Sequence, residues 1–324
     1  MIITKTPLRV SFFGGGSDLP QFYNENEGMV LSTTVNSYIY LAVNRCVADH
    51  LKVIYSELEH TQSLEDIKHD RVRECLKHYE LPSNIEICSF SDVPVKGTGL
   101  GSSSTFTVGL VNALHRISHG RNIDTAELAE VASYIEINRC NEQIGKQDQY
   151  AAAYGGFNTI HFNSNHIRVK PIDADPSTLL ELNSNLLCFN TGINRLASTV
   201  LDKQVENLKG ITAIEQTKSM VELAKNSVKL LQKGKVDDFG NLLDQAWQIK
   251  KQLSDNITNN KIDEMYDRAL KAGALGGKIL GAGGGGYLLV YAPDKVKKRV
   301  IETMKYYERF NFKFTKQGST IEVV

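Results

Sequence analysis

Long hydrophobic runs are absent from this chain. No apolar stretch approaches the ~18 residues that a membrane-spanning helix needs, and the opening MIITKTPLRVSFFGG lacks the basic-then-apolar order of a secretion signal. Cysteine is scarce: Cys46, Cys75, Cys88, Cys140 and Cys188 are scattered, odd in number and without a C-x-x-C pair. That excludes a disulfide or zinc framework and predicts reduced thiols that mainly pack in the core of a cytoplasmic protein. Net charge is missing too, with 37 basic against 37 acidic residues. No global field is then available to hold nucleic acid or an anionic membrane. Internal repeats and low-complexity tracts are likewise absent.

At 324 residues the chain exceeds one ordinary core, so two lobes are expected. The polar, proline-containing stretch 173–176 suggests the boundary, giving lobes over 1–173 and 174–324. Strands are read at 31–45, 51–56 and 84–91, with a short helix at 70–79 between the second and third. Helices follow at 102–118, 124–139 and 144–153, then a hairpin of 157–162 with 167–172. The second half reads as a strand at 185–191, helices near 195–232, 236–253 and 260–272, and strands at 277–281 and 286–292. A helix near 294–308 and two short terminal strands complete it. Strands and helices that do not alternate strictly indicate an α+β fold. Trp247 reads as a helical packing residue.

Three glycine-rich segments carry the chemistry. In the central one, PVKGTGLGSSSTF, Gly97, Gly99 and Gly101 precede Ser102, Ser103 and Ser104 at the start of a helix. Glycines let backbone N–H groups approach a ligand, and a helix start adds unpaired donors and a positive dipole end. Together these make an anion cradle, whose serines can also bind phosphate oxygens or Mg²⁺. The first segment, PLRVSFFGGGSDLP, ends a strand in Gly14, Gly15 and Gly16 followed by Asp18. The third, KILGAGGGGYLLVY, contains G-x-G-x-x-G at Gly281, Gly283 and Gly286, but a strand follows it. A dinucleotide-binding turn must open a helix, so that reading is excluded. A Walker A loop is excluded because Ile279 follows Lys278.

Taken in order, Pro7-Leu8-Arg9, the central P-x-x-x-G-L-G-S-S-like loop and Gly281-Ala282-Gly283-Gly284-Gly285-Gly286 resemble the motifs of the GHMP small-molecule kinases. The resemblance spans nearly the whole chain. It implies a two-lobed fold with a ribosomal protein S5 domain 2-like N-terminal lobe, a ferredoxin-like C-terminal lobe and the active site in the cleft between them. It also implies ATP as phosphoryl donor, with Mg²⁺. Lys96, Gly97, Gly99, Leu100, Gly101, Ser102, Ser103 and Ser104 would hold the nucleotide. Ser103 and Glu136 would hold the metal, with Glu136 alternatively a residue on a solvated helix face. Asp148 would be the catalytic carboxylate, oriented by Arg9, with a plain helix-start charge as its alternative.

Where galactokinase-like members carry Glu-His in the first motif, this chain has Gly15-Gly16, which reshapes the acceptor pocket and leaves it roomier. With GKQDQYAAAYGG and TGINRLAS, this variant is similar to the D-glycero-D-manno-heptose 7-phosphate kinases of that family. The resemblance implies phosphorylation of an anomeric C1 hydroxyl to a 1,7-bisphosphate, toward nucleotide-activated heptose and bacterial surface polysaccharide. Asp18, Gly15, Gly16, Arg195, Lys278, Gly283 and Gly284 are the substrate-binding candidates. Arg195, then Lys278 and Arg139, are candidates for the phosphate that does not react. Fucokinase- or galactokinase-like activity, or a silent sugar–nucleotide sensor, are the alternatives. Small molecules are the expected partners, in a chain that can form a homodimer.

Overall fold

A computed structural model of the chain describes residues 1–94, 97–193, 205, 207 and 210–324. Its frame is a long antiparallel pair, β1 (Ile2–Phe13) and β2 (Gly28–Arg45). β2 is rich in β-branched and aromatic residues, which suit a pleated surface. Between the two strands lies the short helix α1 (Pro20–Tyr23). β2 is long enough to serve several partners in turn. Its first half pairs with β6 (Phe157–Phe162) and its second half with β5 (Ile85–Ser91). β3 (Leu51–Ile54) lies parallel to β5 and antiparallel to β4 (Leu58–Thr61), and β7 (Ile167–Pro171) closes the hairpin with β6.

Leu8 to Phe13 are buried without a break, because helices cover this end of β1 on both faces. One cover is α3 (Ser102–His119), followed by α4 (Thr125–Tyr134) and α5 (Gln147–Tyr154); α2 (Asp70–His78) packs alongside α3. The expected single helix over 124–139 is interrupted. After Tyr134 it widens into a π-helical turn, Ile135–Arg139, closed by the Cys140 N–H donating to the Ile135 carbonyl at 2.8 Å. Such turns insert a residue and are frequent at functional sites.

The second half begins with α6 (Pro176–Asn185), capped by the Asp175 side chain, and continues into β8 (Leu186–Asn190). Helices α7 (Ile211–Gln232), α8 (Val236–Gln252) and α9 (Asn260–Lys271) follow, then β9 (Gly276–Ile279), β10 (Tyr287–Tyr291) and α10 (Asp294–Thr303). β11 (Arg309–Phe310) joins β8, β10 and β9 in a four-stranded sheet. Strand alternation divides this sheet between two cores. Leu187, Phe189, Leu288 and Val290 pack with Trp247, Ile262 and Met265 on one side. Leu186, Cys188, Leu289 and Tyr291 join the large core that continues into the first lobe.

The chain then returns to where it began. β12 (Phe314–Thr315) pairs with β2, and β13 (Thr320–Val323) adds an edge strand to β1, making nine strands in the first sheet among the described residues. We propose the 173/174 division with this qualification: the tail lends its last two strands to the first lobe. The expectation that cysteines mainly pack in the core holds for Cys75 and Cys188, which are buried, but Cys46, Cys88 and Cys140 are only half-buried. The sulfur of Cys46 lies 3.8 Å from His50 Nε2, which pairs with Glu86 at 3.1 Å, on the sheet rather than in a core.

Candidate active site

A cavity of about 630 Å³ opens between the two halves, and all three glycine segments reach it. Its wall takes Arg9, Ser11, Gly15, Gly16 and Asp18 from the first, and Gly97, Thr98, Gly99, Gly101 and Ser102 to Ser104 from the second. The third gives Gly281, Ala282, Gly283 and Gly285. Lys96 and Arg195 lie outside the described residues. Leu100 is buried behind the wall, where its carbonyl accepts the Arg9 backbone N–H at 3.0 Å. Gly284 is also absent from the wall; its N–H donates to the Ile257 carbonyl at 2.8 Å.

Helix α3 presents its N-terminus to this cavity. Gly101 caps it in a left-handed conformation (φ 76°, ψ 22°) with no side chain bonded to the helix start. The first-turn N–H groups and the Ser102 to Ser104 hydroxyls therefore surround one end of the cavity. The second and third glycine loops meet backbone to backbone. A Cβ on Gly99 would stand 2.3 Å from the Leu280 carbonyl oxygen, and one on Gly281 would stand 2.7 Å from the Gly99 Cα. The glycines serve this contact as much as they serve a ligand.

Arg9 and Asp148 form the centre. Register shifts on β1 between Pro7 and Arg9 and between Ser11 and Phe13 bracket Arg9 and Ser11, and bulges of this kind re-aim side chains. Arg9 donates from Nε to Asp148 Oδ1 at 2.8 Å and from Nη2 to Oδ2 at 2.7 Å; Nη1 reaches the Gly99 carbonyl at 2.5 Å. This planar fork fixes the carboxylate in the first turn of α5, and the Asp148 side chain keeps 23% of its exposure toward the cavity. Asp18 is held differently, by backbone N–H groups of Gly16 at 2.9 Å and Gln147 at 3.3 Å. Burial, then repulsion from Asp148, raises its pKa. Gly15 and Gly16 leave room beside it: a Cβ at Gly16 would meet nothing within 4 Å.

Glu136 is not on a solvated face. It is fully buried in the π turn and stands behind the cavity wall. Its carboxylate accepts from Arg71 Nε at 2.7 Å, from the Thr107 hydroxyl at 3.0 Å and from the Gln149 amide. Arg71 also pairs with Glu142 at 2.6 Å, and Arg71 and Glu142 do line the cavity. Of the oxygen donors beside the α3 start, Ser103 and Glu142 line the cavity and are of the type a hard divalent cation takes, whereas Glu136 lies behind them with its carboxylate engaged by Arg71, Thr107 and Gln149.

Burial is the main cause that pushes the Glu142 carboxyl up to about 7, with Glu136 adding repulsion and Arg71 opposing. Its folded pKa thus lies above the unfolded 4.5. Between those values the folded chain binds more protons, and this group's contribution to stability falls as pH rises. Glu142→Gln is therefore expected to remove part of the stability loss between pH 5 and pH 7, measured by denaturant melts at each pH. Parallel curves for variant and wild type would contradict it.

Two lysines stand on the cavity wall. Lys278 is buried at the wall, but its ammonium donates to the Ser11 and Phe12 carbonyls at 2.8 and 3.1 Å. Lys250, which the motifs did not single out, lines the same wall from α8. A signal existed: it continues the apolar stripe of Phe239, Leu243 and Ala246, where a lysine is out of place. Arg139 pairs with Glu74 and is not on the wall.

Comparison with known proteins identifies the family. The GHMP kinases N terminal domain matches residues 68–156 and the GHMP kinases C terminal domain matches residues 227–308. The D-glycero-alpha-D-manno-heptose 7-phosphate kinase of Campylobacter jejuni is 30% identical, over 98% of this chain and 97% of its own. The bifunctional fucokinase/GDP-fucose pyrophosphorylase of Arabidopsis thaliana is 28% identical over 95% of this chain, which spans only 31% of that longer protein. The crystal structure of a D-glycero-D-manno-heptose 1-phosphate kinase from Bacteroides thetaiotaomicron superposes with a TM-score of 0.82 at 24% identity, covering 100% of this chain and 99% of that one. Among the described residues no helix is long and apolar enough to cross a membrane. With its glycine loops, fold and full-length relatives in agreement, the chain belongs to the GHMP kinase family and is an ATP-dependent kinase that transfers phosphate to a hydroxyl of a small molecule.

Proposed function

We propose that this kinase phosphorylates the anomeric C1 hydroxyl of D-glycero-D-manno-heptose 7-phosphate, giving the 1,7-bisphosphate. The observation that carries the reading is the bidentate Arg9–Asp148 pair on the same cavity as the serine-lined α3 start, beside the open Gly15–Gly16 wall. Similarity to the Campylobacter enzyme supports the acceptor class. Asp148 orients the acceptor hydroxyl and takes its proton as the oxygen bonds to the γ-phosphorus and the bond to the ADP oxygen breaks. Asp18 and Gly15–Gly16 receive the sugar. The α3 start with Gly97, Gly99, Gly101 and Ser102 to Ser104 holds the ATP phosphates, and Gly281, Gly283 and Gly285 line the cavity beside them. Ser103 and Glu142 would hold Mg²⁺ at the wall, and the expected ligand Glu136 would join them only by exchanging its Arg71 pairing for the ion, which supplies charge neutralisation at the phosphates. The proposal places the enzyme in the cytoplasm, as a monomer or homodimer feeding nucleotide-activated heptose synthesis.

A second reading, an anomeric kinase for an unphosphorylated sugar such as fucose, is favoured by the similarity to the plant fucokinase. ADP release measured across heptose 7-phosphate, fucose, galactose and mevalonate separates the two. Turnover is expected to be fastest with heptose 7-phosphate. Fucose turnover with none of the heptose phosphate would overturn the first reading, and no ADP release with any acceptor would favour a sensor.

A further inference from the structure

The buried face of α8 ends in a charge. Lys250 is 6% exposed and reaches the cavity wall, where its ammonium donates to the Gly281 carbonyl at 2.5 Å. Lys278, 3% exposed, reaches the same wall from β9 and is tied to the Ser11 and Phe12 carbonyls. Among the described residues neither lysine has a carboxylate within ion-pair distance. The two nearby acids are otherwise engaged, Asp148 by the Arg9 fork and Asp18 by backbone N–H groups. An ammonium taken out of water without a counter-ion is expensive, and two on one wall repel each other. Burial first, and then the Arg9 cation, lower Lys250 to about 8 against the opposing pull of Asp18, and burial with the Lys250 and Arg9 charges lowers Lys278 well below its ordinary value. A bound anion would relieve both.

The position of the pair indicates which anion. Lys278 is bonded to the end of β1, two residues before the Gly14–Asp18 acceptor wall. The α3 start, by contrast, supplies its own donors for nucleotide phosphates. We propose that Lys250 and Lys278 form an anion subsite for the phosphate monoester of the acceptor that does not react. This rests on the sugar-phosphate reading above. Two ammonium groups act as point-charge donors to the dianion, and the distance from this subsite to Asp148 selects which hydroxyl is presented.

The test compares kcat/KM for D-glycero-D-manno-heptose 7-phosphate and for the unphosphorylated heptose, in wild type, Lys250→Met and Lys250→Arg. Lys250→Met is expected to lower the preference for the phosphorylated acceptor by at least about 30-fold, mostly through KM, with the ATP KM moving less than about threefold. Lys250→Arg is expected to recover part of the preference. A wild-type preference that Lys250→Met retains overturns the subsite alone. So does an equal loss toward ATP and both acceptors. A wild type with no preference for the phosphorylated sugar overturns the sugar-phosphate reading and the subsite with it. Should Lys250→Met not fold, inorganic phosphate decides with the wild type. Inhibition competitive with heptose 7-phosphate at saturating ATP supports the subsite, and competition with ATP alone overturns it.

Discussion

Asp148→Asn is expected to lower kcat by roughly 10²–10⁴-fold, the range for a positioned acid–base group, while ATP still binds. Asparagine keeps the shape of the side chain and one acceptor oxygen for Arg9, so the guanidinium retains a partner and the fold is spared. What is lost is the negative charge that, in the proposed mechanism, aligns the acceptor hydroxyl and receives its proton. Phosphoryl transfer depends on positioning and charge more than on covalent chemistry, and Asp148 is the carboxylate that the structure fixes with two hydrogen bonds of 2.7 and 2.8 Å. Asp148→Ala is expected to lose at least as much, with added instability because Arg9, 4% exposed, would keep only the Gly99 carbonyl. Single-turnover rates together with binding of a fluorescent ATP analogue check the claim. Turnover within about tenfold of wild type would remove Asp148 from the chemistry.

Gly99→Ala is expected to damage the site severely although it adds a single methyl group. Gly99 has φ 76°, a left-handed conformation that costs a side-chain-bearing residue about 1–2 kcal/mol. Its added Cβ would also meet the Leu280 carbonyl oxygen at 2.3 Å and the Leu280 carbonyl carbon at 2.7 Å, both backbone atoms. Neither loop can yield by rotating a side chain, so the two must part. Overpacking adds about 1–3 kcal/mol. The separation would move the Arg9 anchor, because Arg9 Nη1 donates to the Gly99 carbonyl. Lower thermal stability and an ATP KM raised by about tenfold or more are expected together. Gly16→Ala supplies the comparison: its φ is 98°, but a Cβ there meets open space. Gly16→Ala should therefore show the backbone penalty without the loop separation. Equal effects of the two substitutions would mean that contact between the loops is unimportant.

Much of this site can be read locally in the sequence. The glycine–serine loop announces a helix start with unpaired N–H donors, since its chemistry lies within ten residues. The strand after Gly286 excludes a dinucleotide turn, and β10 bears this out by pairing antiparallel with β9. What stayed hidden depends on distant contacts. Nothing near residue 320 shows that it will pair with Lys5, because register between the two ends of a chain is decided by the assembled sheet. The burial of Glu136 depends on Arg71, sixty-five residues earlier, on Gln149, and on a π turn that no periodicity marks. Glu142 went unnoticed because a lone glutamate in a polar stretch carries no pattern. Lys250 is legible in principle as the one cation on an apolar helical stripe, beside the more conspicuous Trp247.

The site's central claim is that ATP delivers phosphate to C1 of a sugar already phosphorylated at C7. Phosphorus NMR of the product formed from ATP and D-glycero-D-manno-heptose 7-phosphate tests it most directly. The expected spectrum shows ADP, the retained C7 phosphate and one new phosphate coupled to the anomeric proton. A new phosphate coupled to any other proton, or ADP formed with no sugar bisphosphate, would contradict it.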